Sequence, residues 1–456
     1  LYFSEWGFDF IKVDGCGLRA FPEASEKVRS GRYRALKPLL DLSAVSRSDI
    51  DAVKAIFEDI NKALSHENPD GDFLLSLCIW GAADVRSWGK NMGNISRTSD
   101  DINPTWSRML TNFDSTVTRA LYAHPGSWND PDMLFIGKGE FDSAHLTEAK
   151  SHFALWAITN APLFMGTDLR TTPQSLMDVF GNSAIISINQ DPGGHQAVVA
   201  YDSDDVQTLV KTLERGGKAV AILNRTAANT PVTLTADHLK FESNSDIVLT
   251  DLWSGKEHRF RDETTFMLAP HQTLIFRAQG SRKLPNGLYL SEQPGNVNPA
   301  VDGVRYPQAD PGIHRSATSW AGTKGKGERP MYAGWGGAQA DGAPFGQVLS
   351  ISGKPIDTGL GILANSRFEV RNKGYRRFET LVGVDDSAGE KSSAVTFTIY
   401  GDGKLLASSS PLKWGAQAEK MSVNVAGVDI IELVARSAGA QNELLPVTWG
   451  EAALLK

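Results

Sequence analysis

Cysteine is nearly missing from this sequence: only Cys16 and Cys78 occur in 456 residues, too few for a disulfide framework or a cysteine zinc cluster. Long apolar runs are missing too. The longest are strand-sized, well short of the roughly 18 residues that suggest a spanning helix, so no membrane span is expected. Basic charge is not in excess either. With 46 Lys and Arg against 53 Asp and Glu the net charge is -7, which gives no electrostatic reason to expect nucleic acid as partner. Neither a metal nor another cofactor is expected. The chain opens at Leu1 with no methionine, charged leader or signal-type apolar core, and the strand-like FDFIKV follows at once. It is therefore expected to begin inside a domain, as a fragment.

At this length roughly three domains of about 150 residues fit, and three regions differ in pattern. From residue 1 to 192, apolar runs (Phe8 to Val13, Phe73 to Ile79, Met133 to Ile136, Leu163 to Met165) alternate with amphipathic stretches such as SRSDIDAVKAIFEDINKAL and FDSAHLTEAKSHFALWAITN. Ser48 and Asp49 are plausible caps of the first. Strand followed by helix, repeated, predicts a parallel α/β domain. From 193 to 280 the runs KAVAILNRT, SDIVLTDLWSG and TLIFRA, without a helical period, predict a small antiparallel β-sandwich. A linker at 281–287 leads to a third, β-type region at 288–456, where GDG marks a hairpin turn. GTKGKGERP within it lacks P-loop spacing and reads as a solvated loop.

Three acidic segments carry the candidate chemistry. KVDGC around Asp14 reads as a tight turn or a catalytic strand end. SRTSDDINPTW, with Arg97 four residues before Asp101, reads as a helix start capped by Ser99, Asp100 or Asp101, or as a site. WNDPDM, with Asp132, reads as an Asp-Pro turn or as a pocket edge. Each follows a predicted parallel strand, where a (β/α) barrel assembles its site from several strand ends, and that shared placement favours the site.

FIKVDGCG, LSLCIWG, SRTSDDI, GSWNDPDMLFIG, APLFMGTDLR and ISINQDPGG occur in the order seen in glycoside hydrolase family 27, the α-galactosidase and α-N-acetylgalactosaminidase family, which the chain resembles up to about residue 280. The resemblance implies part of a (β/α)8 TIM barrel followed by an antiparallel β-sandwich. It also implies a retaining exo-acting α-galactosidase of a secreted or periplasmic bacterial kind, whose partner is an α-galactoside oligosaccharide, polysaccharide or glycoconjugate. Alternatives are an α-N-acetylgalactosaminidase or another α-pyranoside hydrolase and, from a different class, a carbohydrate-binding protein that is no longer catalytic.

By the same resemblance Asp14 is the nucleophile, Asp101 the acid/base, and Arg97 and Lys12 contact the sugar. Asp132 edges the pocket and Cys16 lines it. A retaining site needs two carboxyls about 5–5.5 Å apart, one to attack the anomeric carbon and one to protonate the leaving oxygen and later deprotonate water. A neighbouring Lys12 favours the charged Asp14, and partial desolvation favours a protonated Asp101. The departure is at CIWGA. Ile79, beside Trp80, stands where typical members have a glutamate to the sugar 2-hydroxyl, and Ala82 is smaller than in galactose-specific members. Ile79 then forms an apolar wall or a plain core position, and the preference at C2 stays open. Cys78 matches a cysteine whose usual partner falls near Gly93, so both thiols are free or pair with each other.

GLYLSEQP, GYRRFETLVGVDDSAG, VTFTIYGDGKLLASS and VTWGEAAL resemble an NPCBM carbohydrate-binding module, a jelly-roll-like β-sandwich. Trp320, Tyr332 and Trp335 are candidate sugar-facing aromatics, with core packing as the alternative, and Asp385 and Asp386 serve ligand or turn. Because the family grips galactose with residues before Asp14, residues 1–456 alone are expected to be inactive or poorly folded, and the parent protein active.

Overall fold

Alternating apolar and amphipathic segments produce a parallel sheet with helices on its outer side. The computed structural model describes residues 5–18, 23–32, 35, 39–40, 48–304, 337–440 and 443–456. Four parallel strands lie side by side in sequence order: β1 Phe10–Asp14, β2 Leu74–Cys78, β3 Ile95–Arg97 and β4 Trp128–Asp130. Helix Ile50–Glu67 begins where the Asp49 carboxylate accepts the Ala52 N–H at 3.1 Å. Its Val53 and Phe57, four residues apart and so on one face, are fully buried in one cluster with Leu75 and Leu77 of β2.

The expected strand Met133 to Ile136 is reduced to a single parallel bridge between Leu134 and Met165; the extended pairing falls earlier, on Trp128–Asp130. Helix Trp106–Val117 starts at Thr105, whose side chain makes no cap bond, so none of Ser99, Asp100 and Asp101 caps a helix. The barrel is partial in this chain.

The second region is antiparallel. Its main sheet runs Glu257–Phe260, Ile247–Asp251, Thr273–Gln279, Lys218–Asn224, Val206–Thr212, Val198–Asp202, with Glu263–Leu268 and Thr230–Thr235 as a second pair. It shares a core with the barrel helix Leu146–Ile158, in which Ala219, Leu223 and Ile275 join Phe153 and Trp156. Arg225 grips Asp114 of the barrel through two hydrogen bonds of 2.8 and 2.5 Å.

The third region is a sandwich of two antiparallel sheets, one centred on Pro446–Leu455 and one on Ile430–Ser437. Strand Gly287–Tyr289 pairs with Pro446–Leu455, and Asp402 and Gly403, both left-handed, turn the predicted GDG hairpin. Barrel residues Leu121 and Tyr122 are buried in this sandwich's own core, so its contact with the barrel is apolar as well as ionic. No helix among the described residues is long and apolar enough to cross a membrane.

Candidate active site

Strand register brings the chemistry together. Asp14 lies opposite Cys78 across β1 and β2, and Arg97 lies opposite Asp130 across β3 and β4, so four polar residues end neighbouring strands on the C-terminal side, where barrel sites form. Lys12 and Asp14, two apart on one strand, share a face. The Lys12 ammonium is 3.8 Å from Asp130. Asp14 accepts a long hydrogen bond from the Cys78 thiol, 3.6 Å. Cys16 lies in the turn Gly15–Leu18 that follows, and its side chain is outside the described part of the structure.

Arg97 is the hub. It is 2% exposed, and its Nη2 reaches Asp132 at 3.0 Å, Asp101 at 3.2 Å and the Ser99 carbonyl at 3.0 Å, while Nη1 points at the Cys78 sulfur, 3.7 Å away. Burial works against its charge, but Asp132, Asp130, Cys78 and Asp101 outweigh it and raise the guanidinium above its ordinary value. Asp130, fully buried, is raised chiefly by burial, against the pull of Arg97 and Lys12.

Asp132 adopts φ 90, a conformation non-glycine residues rarely take, and it is tied on every side. Its carboxylate accepts the N–H groups of Ile102 and Met133 at 2.9 and 2.8 Å, and its carbonyl accepts the Trp156 indole N–H at 2.7 Å. Asp132 thus fixes the backbone beside Asp101. The Asp101 side chain is 50% exposed and ion-paired to Arg97. Asp100 is buried, its carbonyl held by Asn112.

Ile79, Trp80 and Ala82 are 0%, 5% and 6% exposed. Of the two readings of Ile79, wall or core, the structure shows core packing. A Cβ placed on Gly15 would meet Trp80 at 2.9 Å and Ile79 at 3.0 Å, so glycine after Asp14 is what lets both side chains press against the turn. All three belong to the buried cluster formed with Leu75, Leu77 and Val53. Cys78 is a free thiol. Among the described residues no group of three or more His, Cys, Asp and Glu is arranged to hold a metal.

Residues 2–191 match the family described as Alpha galactosidase A, residues 203–278 the Alpha galactosidase C-terminal beta sandwich domain, and residues 327–455 the NPCBM/NEW2 domain. Over residues 2–278 the chain is thus similar to the α-galactosidases of glycoside hydrolase family 27. Alpha-galactosidase 3 of Arabidopsis thaliana is 33% identical over 261 residues, covering 56% of this chain and 51% of that protein. The Alpha-galactosidase of Oryza sativa subsp. japonica is 29% identical over 274 residues, 60% of this chain and 57% of that one. The chain thus spans about half the length of the curated relatives it matches. In fold it is similar to alpha-galactosidase I from Mortierella vinacea, with a TM-score of 0.51 at 21% identity over 61% of this chain and 70% of the other.

Two site-adjacent residues escape sequence reasoning. Asp130 was overlooked beside Asp132, although it ends the strand that carries the motif. Cys78 was read through its disulfide partner, although its place directly before Ile79 marks it as a strand end facing Asp14. In the NPCBM module Asp385 is fully buried, and its carboxylate accepts bonds from Ser350 N–H, Thr448 Oγ1 and Ser387 N–H at 3.1, 2.7 and 3.0 Å. That is the turn-holding role of the two alternatives. Trp320, Tyr332 and Trp335, like GTKGKGERP, lie outside the described residues.

Proposed function

We propose that the protein is an exo-acting retaining hydrolase of terminal α-linked galactose. The observation that carries this reading is the Arg97 guanidinium, buried and shared between the tied-down Asp132 and the half-exposed Asp101. An exposed carboxyl held at one point by a buried cation is oriented without being covered, as a group that exchanges a proton with a leaving oxygen and then with water must be. Asp14, at the end of β1 with the Cys78 thiol on its Oδ2, is the carboxylate that attacks the anomeric carbon. Arg97, Lys12 and Asp130 set the field around both.

Burial of Asp100 supports Asp101 as the acid/base. With Ile79 in the family's glutamate position, no carboxylate from that residue reaches the sugar 2-hydroxyl, a loss of about 0.5–1.5 kcal/mol.

The test uses the full-length protein with its barrel complete. An aryl α-galactoside is expected to be turned over in preference to an aryl α-N-acetylgalactosaminide, and a fluorosugar inactivator to label the wild type but not Asp14→Asn. Labelling of Asp14→Asn at the wild-type level removes Asp14 from its role. Preference for the N-acetyl sugar moves the assignment to that substrate, and sugar binding without turnover favours the non-catalytic alternative.

A further inference from the structure

Directly after the Cys78 strand end the chain enters an unusual loop. Trp80, Gly81, Ala83 and Asp84 all have positive φ, 56, 77, 50 and 51. Three of them are not glycine, and such residues keep this conformation only where the surroundings hold them. Side-chain hydrogen bonds hold this loop. Trp88 donates its indole N–H to the Ala83 carbonyl at 2.8 Å, and Asp84 accepts Ser87 Oγ at 2.8 Å and Arg86 Nε at 3.0 Å.

Arg86 is 7% exposed, and its remaining nitrogens face the third domain. Nη2 is 3.8 Å from the Asp302 carboxylate, and the guanidinium lies 5.3 Å from the centre of the Tyr122 ring. Tyr122 donates its hydroxyl proton to Asp302 at 3.0 Å and accepts the Ala338 N–H at 2.9 Å. Gly337 completes the contact, since any Cβ there would sit 2.3 Å from Arg86 Nη1.

One buried cation therefore joins a carboxylate of the strained barrel loop to a carboxylate of the appended domain. We propose that Arg86 and Asp302 are a positioning pair through which the C-terminal module holds the loop 79–84, and with it the packing of Ile79 and Trp80 against the turn that carries Asp14. The module then acts on the specificity of the site from behind, in addition to any ligand it binds itself. Neither residue touches substrate. Their effect passes through Asp84 to the loop, and from Trp80 and Ile79 to Gly15, where there is no room for a Cβ between the turn and these two side chains.

The inference rests on the hydrolase reading, and the experiment separates the two. In the full-length protein, Asp302→Ala is compared with Asp302→Glu and with Lys240→Ala, which loosens a different contact of the module, to Ser291 and Asp341. Asp302→Ala is expected to change the ratio of kcat/KM for aryl α-galactoside over aryl α-N-acetylgalactosaminide by about tenfold, the scale of a small change in pocket shape. Asp302→Glu is expected to restore most of the ratio, and Lys240→Ala to leave it as in the wild type. General destabilisation lowers both substrates together and leaves the ratio alone.

Hydrogen exchange at the amides of residues 79–84 reads the pair without turnover, and is expected to be about tenfold faster in Asp302→Ala and unchanged in Lys240→Ala. Should Asp302→Ala fail to fold, Arg86→Lys keeps the charge, loses the planar fork and is expected to give the same shifts. Wild-type exchange at 79–84 in these variants, or equal effects from Lys240→Ala, overturns the proposal. An inactive wild type with the predicted exchange pattern sinks the hydrolase reading and leaves the positioning pair standing.

Discussion

The Cys78 thiol, enclosed between Asp14 and Arg97, is pushed up to about 12, mainly by burial, which outweighs the downward pull of Arg97 and Lys12. Only about one molecule in ten thousand carries the thiolate at pH 8. Iodoacetamide at that pH is expected to spare Cys78 in the native protein and modify it in guanidinium, as read by peptide mass; labelling in the native state contradicts the burial. Asp132 makes a different prediction. Asp132→Ala removes one of Arg97's buried counter-charges and the acceptor of the Ile102 N–H, and is expected to cost about 3–5 kcal/mol in urea unfolding. At this scale residue identity was legible and partners were not. The motifs pointed to Asp14, Arg97, Asp101 and Asp132, but Lys12 meets Asp130 and Cys78 meets Asp14 because of register between strands, which spacing along one strand does not encode.

Elements were legible where they were long. Helix Ile50–Glu67 carries its own cap and a face of Val53, Phe57, Ile60 and Leu64, and β1 and β2 are apolar runs. The three-residue strands Ile95–Arg97 and Trp128–Asp130 are too short and polar for an alternating pattern to appear, so the apolar run Met133–Ile136 carries the stronger strand signal. The loop after β2 gave no local sign of its strain beyond one glycine. Gly81 has φ 77, and a Cβ there would be 2.3 Å from the Thr98 carbonyl oxygen. Gly81→Ala is therefore expected to destabilise the fold by at least about 1–3 kcal/mol, measured by denaturation, and to lower soluble yield. Helix Leu146–Ile158 supplies a further test. His152 on it accepts the Phe135 N–H at 3.1 Å, and His152→Ala leaves that part-buried donor without its side-chain acceptor, at a cost of about 1 kcal/mol.

For the whole molecule, acid is the informative variable. Burial lowers His152 to about 3; burial, with Lys373, Lys211 and Lys218 adding to it, lowers His195 to about 3 as well. The unfolded chain binds both protons near pH 6.5. Their contribution to stability is complete above pH 6.5 and is lost as pH falls from there through about 3, with a slope of up to about 1.4 kcal/mol per pH unit for each histidine. Urea midpoints are expected to fall steadily between pH 6.5 and 4. His124, lowered to about 4 mainly by burial, adds to the slope, so His152→Gln, which keeps an acceptor but does not titrate, is expected to flatten it by about a third; an unchanged slope removes His152 from the account. Sequence alone determined an α/β region followed by β regions and the strand-end residues that are candidates for the site, because strand-helix periodicity and strand-end motifs are local properties. Tertiary structure alone decided that Asp101 is open while Asp100 is buried, and that Ile79 is core. It also decided that Tyr122 meets Asp302, 180 residues away. Burial and ion pairing depend on which distant surfaces pack together, and no local pattern carries that information.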